Sequence, residues 1–302
     1  MTAKELLNKR DRDFSGEPSL FHNNALGQAY EDTRATVPME LLRNRCAPGL
    51  VPGLAVGTHV LGADQGVYLL IARCLFPPTP AREFGTWGVV HVEHVLDADA
   101  FSRADEDDTG TPMIRYGRIT ELMQQYDVTV ACIDAQPDVS NVRSLQRDCP
   151  TRVYGVHSSG VQKATFVVAT DPERSDWPMA TESVHGSFDR LFRAIREKEM
   201  IFHRMALPGM AAFPEDAELH KAFSQLNNVA KVVRTETKTG RQVQTSCIYV
   251  PRGPAKTHPI HYATAATKLI HAIRLQLDGL GGAITSVLSP SEGLLTFRPR
   301  GD

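Results

Sequence analysis

The sequence predicts a mixed α/β protein with one central sheet. The sheet begins as a three-strand antiparallel meander, continues through parallel strands and carries helices on its faces. Three observations predict it. Apolar runs of strand length follow one another at His59–Asp64, Val67–Leu75 and Gly85–Val95, with Gln65-Gly66 as a tight turn between the first two. Asp127–Asp134 has a β-branched, wholly apolar body, the pattern of a strand buried on both faces of a parallel sheet. From there helix and strand alternate, the rhythm of an α/β sheet.

The elements follow in order. Residues 1–57 are rich in turn formers and charges and read as an arm or linker around one short helix, Pro38–Asn44. A single domain is expected over 58–278. Between the meander and the buried strand, Asp97–Asp108 carries six acids against one arginine and reads as a solvated, self-repelling loop. Ile119, Leu122, Met123 and Tyr126 then mark one face of a helix at the 3.6-residue period. A second helix is expected over Val139–Asp148 and a strand over Arg152–Val156. After a loop through Pro178, Phe188, Leu191, Phe192 and Ile195 define an amphipathic helix with Ser187 as its N-cap. Ala217–Leu226 is a shorter helix. Val229–Glu236 and Gln242–Val250 alternate around Lys238-Thr-Gly240, a hairpin signal. A long helix is expected from Pro259 to Leu277, with Pro259 suited to its first turn. Residues 279–302 form a tail rich in Gly, Ser and Pro.

Composition narrows the function classes. At about 150 residues per domain, the 302 residues make one or two domains. With 42% apolar and 23% charged residues, the chain is no disordered polymer, collagen-like fibre or coiled coil. A formal net charge of −2 means that nucleic acid must be held by a local patch rather than by a global field. Cys46, Cys74, Cys132, Cys149 and Cys247 share no metal-ligand spacing and read as reduced, mostly buried thiols in a cytoplasmic protein. Residues 1–16 lack the apolar segment of an export signal. The longest apolar run, Val67–Phe76, is about half a membrane span and contains Arg73, so no membrane partner is expected. The sequence has no G-x-x-x-x-G-K-S/T phosphate loop. Gly155–Gly160 lacks the G-x-S-x-G spacing of a serine hydrolase. Trp87 and Trp177 read as core or loop anchors.

Two acids stand out. Asp64 ends the first apolar run and Asp134 ends the fourth. If these strands are neighbours in one sheet, both carboxylates emerge at one edge. Hard divalent cations take oxygen ligands, and Mg²⁺ is commonly held by one or two carboxylates plus substrate phosphate. Two such ions clamp the attacking and leaving oxygens of a phosphodiester. The helix after Lys256 should supply a third acid, but Lys256-Thr257-His258-Pro-Ile-His261 offers none. His258, three residues before His261, is the candidate metal ligand there. Lys231, Arg234, Lys238, Arg241, Arg252 and Lys256 stand against one acid, Glu236, over Val229–Lys256. On the expected hairpin they form a basic ribbon able to hold a phosphate backbone.

In order and spacing these pieces resemble the nuclease half of the large terminase subunit of tailed bacteriophages. The likeness runs from about Leu20 to Ile273. Phe21-His-Asn-Asn-Ala-Leu-Gly27-Gln-Ala-Tyr30 is similar to the segment joining motor to nuclease. Leu61-Gly-Ala-Asp64-Gln-Gly and Ala131-Cys-Ile-Asp134-Ala-Gln-Pro resemble the two acidic strands, and Arg152-Val-Tyr-Gly-Val-His157 the strand after them. Ser187-Phe-Asp-Arg-Leu-Phe192 through Ile201 resembles the later helix and short strand, and Thr257-His258-Pro-Ile-His261-Tyr-Ala263 the start of the last helix.

The resemblance implies a ribonuclease H-like fold, Mg²⁺ or Mn²⁺ in a two-metal site if the site is intact, and cutting of concatemeric phage DNA during packaging. It also implies double-stranded DNA, the portal, the small terminase subunit and a separate ATPase motor as partners in the host cytoplasm. Thr257 stands where the family places its third acid. Against the endonuclease stands a catalytically lapsed module that binds DNA or docks on the packaging machinery. A resolvase-like nuclease is the more distant alternative.

Overall fold

Every residue of the strand His59–Asp64 (β1) is buried. It lies at the centre of an eight-stranded sheet and explains why the run carries no polar alternation until its last position. The computed structural model describes residues 36–64, 68–80, 82–95, 103–106, 112–114, 117–136, 139–149, 152–159, 166–168, 178–206, 213–238, 241–252 and 259–280. Strands β2 (Tyr68–Phe76) and β3 (Thr86–His94) run antiparallel to β1 and complete the expected meander. Strand β6 (Val128–Asp134) then pairs with β1 in parallel, β7 (Arg152–Ser159) with β6, and β9 (Met179–Ser183) with β7. The edges are β10 (Met200–Phe202), parallel to β3, and β8 (Phe166–Val168), antiparallel to β9. The order is therefore β10-β3-β2-β1-β6-β7-β9-β8, the mixed ribonuclease H-like sheet that the sequence predicts.

Helices cover both faces. On one, α2 (Gly117–Gln125) and α3 (Val139–Asp148) pack Ile119, Leu122, Met123, Val142 and Leu145 against Leu61, Ala63, Ala131 and Ile133. On the other, α4 (Val184–Arg196), α5 (Asp216–Asn227) and α6 (His261–Leu280) cover Val60, Val130, Cys132, Val156 and Ala180. The strand residues sort by parity, as the two-residue repeat of a pleated strand requires. The short helix α1 (Met39–Arg43) buries Leu42, and Arg45 donates to the carbonyl oxygens of Ile195 at 2.7 Å and Arg196 at 2.8 Å. Residues 36–50, assigned by the sequence to the arm, thus lie against α4 and the β10 edge. Trp87 is buried and donates from its ring nitrogen to the Phe84 carbonyl at 2.9 Å. Trp177 and the tail beyond 280 lie outside the described residues.

Three local expectations are corrected. Helix α4 begins at Val184 with Ser183 as its N-cap, and Ser187 is a buried residue within it. Inside the acidic segment, Arg103–Glu106 (β4) pairs with Pro112–Ile114 (β5), because a backbone ladder needs no apolar side chains. Helix α6 is buried on nearly all sides, including at Lys268 and His271, where an apolar stripe predicts one buried face. The hairpin is present as β11 (Val229–Lys238) and β12 (Arg241–Pro251). Among the described residues no helix is long and apolar enough to cross a membrane.

Gly62 governs how α6 sits. A Cβ at this position would lie 2.2 Å from the Leu269 nitrogen and 2.5 Å from the Ala265 carbonyl oxygen. Helix backbone therefore rests on strand backbone. Gly62→Ala has to push the helix away. It should cost about 1–3 kcal/mol in urea unfolding, the usual penalty of overpacking a core; an unchanged midpoint would show that the helix is free to shift.

Candidate active site

The same parity that builds the core builds the site. Val60, Gly62 and Asp64 of β1 face α6, as do Val130, Cys132 and Asp134 of β6. The parallel register sets Ala63 beside Ile133, so Asp64 and Asp134 close the two strands side by side at their C-terminal ends. One strand further, Asp134 is opposite Val156, and Ser158 follows it on the same face. On β9 the partner of Ser158 is Glu182. The apolar face thus ends in a polar row across four parallel strands: Asp64, Asp134, Ser158 and Glu182. Such an edge, outside the carboxyl ends of parallel strands, is where α/β sheets bind ligands.

Helix α6 closes the row from above. The fully buried Lys268 donates to Ser158 Oγ at 2.9 Å and to Glu182 Oε1, and its ammonium stands 3.8 Å from Asp134 Oδ2. Glu182 Oε1 also accepts from Ser158 at 2.8 Å. The other Glu182 oxygen is 2.7 Å from His271 Nε2, one turn further along the helix. Ser187 Oγ lies 2.8 Å from that same nitrogen. A nitrogen that donates to Glu182 has no lone pair left to take the serine proton, so these three residues form no nucleophilic relay.

At the other end of the row, His261 Nδ1 is 2.7 Å from Asp64 Oδ2. The His261 ring is stacked on Tyr68 at 4.8 Å, and Tyr68 on His94 at 4.1 Å. Glu182 and Asp134 are almost wholly buried, whereas the His261 side chain is 51% exposed, so the site has a closed flank and an open one.

The charges are ordered accordingly. Burial raises the Asp134 carboxyl above its ordinary range, and the negative charges of Asp64 and Glu182 add to it. Lys268 and the Gln136 amide, 3.1 Å from Oδ1, act the other way. Burial also works against the charge on Glu182, yet Lys268 and His271 hold its carboxyl far below the usual range. For Lys268 burial is likewise outweighed, by Glu182, Asp134 and Asp64, and the ammonium stays charged. Burial drives His271 toward its neutral form. Asp64, through its hydrogen bond and charge, raises His261 against a smaller effect of burial.

Of the residues singled out in the sequence, Asp64 and Asp134 are brought together. His258, Thr257 and Lys256 lie outside the described residues. Lys231 pairs with Asp189 of α4 at 2.8 Å, and Asp189 also accepts from Tyr249 at 2.5 Å. Arg234 is opposite Ser246, and Lys238 is opposite Arg241 at the tip of the hairpin. Arg252 is exposed just beyond β12, its amide donating to the Asn228 carbonyl at 2.8 Å. Among the described residues no group of three or more His, Cys, Asp or Glu side chains is gathered so as to hold a metal ion.

Sequence reading missed Glu182, Ser158, Lys268 and His271. Met179-Ala-Thr-Glu-Ser183 is too short and polar to signal a strand, although it ends in an acid as β1 and β6 do. Lys268 did leave a trace, as a lone cation inside the apolar helix His261–Leu280.

No model of a known protein family matches this chain, and no curated protein matches it. Among solved structures it is similar to a mutant nuclease domain of the large terminase subunit gp2 of bacterial virus Sf6, solved with manganese and beta-thujaplicinol. The identity is 12% and the TM-score 0.37, and the match covers 79% of this chain and 98% of that one.

Two outcomes follow from this geometry. Lys268→Met leaves Glu182 charged and buried with its main partner gone, which costs about 3–5 kcal/mol; adding Glu182→Gln should return most of that stability in thermal or urea melts. Because His261 is raised above its ordinary 6.5, the stabilisation from its contact with Asp64 is present below pH 6.5 and is lost as pH rises through the raised value. Melting of wild type and His261→Gln should therefore converge as pH increases. A gap that stays constant would mean that the contact is not ionic.

Proposed function

We propose that this chain is a divalent-metal-dependent endonuclease acting on double-stranded DNA, of the kind that cuts concatemeric phage DNA during packaging. The observation that carries the reading is the pair Asp64 and Asp134. Two carboxylates sit at adjacent register on the ends of parallel strands, on one face of the sheet. The order of motifs in the sequence points the same way.

The donor set fits a hard cation. Asp64 and Asp134 offer anionic oxygens at a place where negative charge outweighs positive, as the raised Asp134 carboxyl records. Bound Mg²⁺ or Mn²⁺ supplies Lewis acidity and a water of lowered pKa. The chain's own residues do the rest. Asp64 and Asp134 are the ligands. The stack of His94 and Tyr68 fixes the ring of His261, and His261 orients Asp64. Lys268 and the Gln136 amide hold Asp134. Arg234, Lys238 and Arg241 on the hairpin, with Arg252 and Lys256, meet the phosphate backbone, and His258 remains a candidate ligand at the start of the last helix. The portal, the small terminase subunit and a motor on a separate chain are the partners that this reading implies.

A second reading, a lapsed module that binds DNA without cutting it, draws on Thr257 and on the missing third ligand among the described residues. Plasmid DNA incubated with the full chain and Mg²⁺ or Mn²⁺ decides between them. The expected result is metal-dependent cutting that Asp64→Asn and Asp134→Asn each eliminate, with DNA binding that weakens steeply as salt is added. Cutting that survives both changes sinks the assignment. Binding without cutting in wild type, together with cutting gained by Thr257→Asp, establishes the lapsed module.

A further inference from the structure

We infer that Lys268 is a built-in cation standing where a second metal ion would have to sit, so that the site takes one divalent ion, held by Asp64 and Asp134. This rests on the metal-site reading above and goes beyond it by fixing how many ions the site holds and which carboxylate is withheld from them.

Position is the first argument. A second ion could reach this site only between Asp134 and the next carboxylate along the row, Glu182. Lys268 occupies that gap, with its ammonium on Glu182 and Ser158 and 3.8 Å from Asp134.

Glu182 is also spoken for at both oxygens. Lys268 and Ser158 donate to Oε1, and His271 lies against Oε2 at 2.7 Å. To ligate a metal it would have to abandon partners inside a nearly dry interior, where an unpaired ammonium and an unpaired carboxylate are both expensive.

Mobility is the third argument. Lys268 cannot swing away by moving its helix, because α6 rests on the backbone at Gly62 through Ala265 and Leu269, which flank Lys268 in the chain. His271 packs flat on Phe166 at 4.1 Å, which closes the space on the Glu182 side.

Charge completes the case. Asp64, Asp134 and Glu182 bring three negative charges and Lys268 brings one positive charge. The remainder matches one divalent ion, whereas two would leave the site strongly positive before substrate binds. An ammonium is a poorer bridge than a metal ion, since it donates hydrogen bonds and activates no water. The inferred site is thus asymmetric, with metal chemistry on the Asp64 side and a fixed charge on the Glu182 side.

The test counts ions rather than activity. Mn²⁺ is titrated into the full chain, and bound ions are counted from the loss of the free-ion electron paramagnetic resonance signal. Wild type should bind one Mn²⁺, and Asp134→Asn should lose it. The double variant Lys268→Gln/Glu182→Gln removes both buried charges together and should still bind one ion with unchanged affinity. Lys268→Gln alone frees Glu182 and should admit a second ion; where that variant does not fold, wild type and the double variant decide. Two ions in wild type overturn the inference. So does a double variant whose affinity falls by about tenfold or more, the usual effect of removing a group that supports a metal. No bound ion in wild type is a different failure: it removes the metal-site reading itself, and this inference with it.

Discussion

The last helix rests on the central strand with no side chain between them. At Gly62 the backbone of α6 approaches so closely that even a methyl group would overlap the Leu269 nitrogen and the Ala265 carbonyl. That contact sets the height of the helix above the sheet, and the height decides which polar groups can meet. With α6 this low, the Lys268 side chain reaches past Cys132 into the row formed by Asp134, Ser158 and Glu182, and His261 reaches Asp64. A larger residue at 62 would leave the same side chains in the sequence and take their partners out of range. The glycine is needed here for what it lacks, since β1 at this point is ordinary extended strand.

Once the helix is docked, the site is governed by the difference between paired and unpaired charge in a dry interior. Lys268 and Glu182 are each nearly inaccessible. An ion pair of this kind adds little net stability compared with apolar residues of the same shape, because desolvation consumes the attraction. Its effect is on specificity: with one partner in place, the other has only one tolerable position. Ser158 and His271 take up the remaining capacity of Glu182, so the closed flank has a single arrangement. Asp134 shares Lys268 with Glu182 at longer range and keeps a raised carboxyl, which leaves it the member of the row with attraction to spare for a further cation.

How much of this could be read from the sequence depended on how local each signal was. The meander, the buried strand Val128–Asp134 and the helices were legible because each announces itself by its own periodicity or composition. Asp64 and Asp134 were legible because an acid ends an otherwise apolar run. Glu182 was not, since β9 is held by β7 and β8 on either side and needs no apolar run of its own. Ser187 was read as a cap from its local pattern; Ser183 takes that role, and Ser187 turns inward to His271, 84 positions away. Lys268 was visible as a residue but not as a partner, because its contacts lie 86 and 110 positions away along the chain. Pairings of that range are fixed by topology, which a single sequence does not print.

The two flanks of the row also differ in how they are tied to the basic hairpin. Helix α4 starts at Val184, directly after Glu182 and its cap Ser183, so it is continuous with the closed flank. The same helix carries Asp189, which binds both Lys231 and Tyr249 of the hairpin, and His185, which accepts from the Tyr249 amide at 3.0 Å. The hairpin is therefore anchored through α4 to the Glu182 side. Lys231 spends its charge on that anchorage, so of the six cations in the ribbon it is the one that holds the ribbon in place. In the proposed nuclease this division has a consequence. The phosphate backbone is gripped from the flank that holds fixed charge, while the scissile group meets the flank that is open, where Asp64 and the half-exposed His261 stand. Grip and chemistry are thus set by one rigid connection, Glu182 through α4 to Asp189, rather than by independent loops.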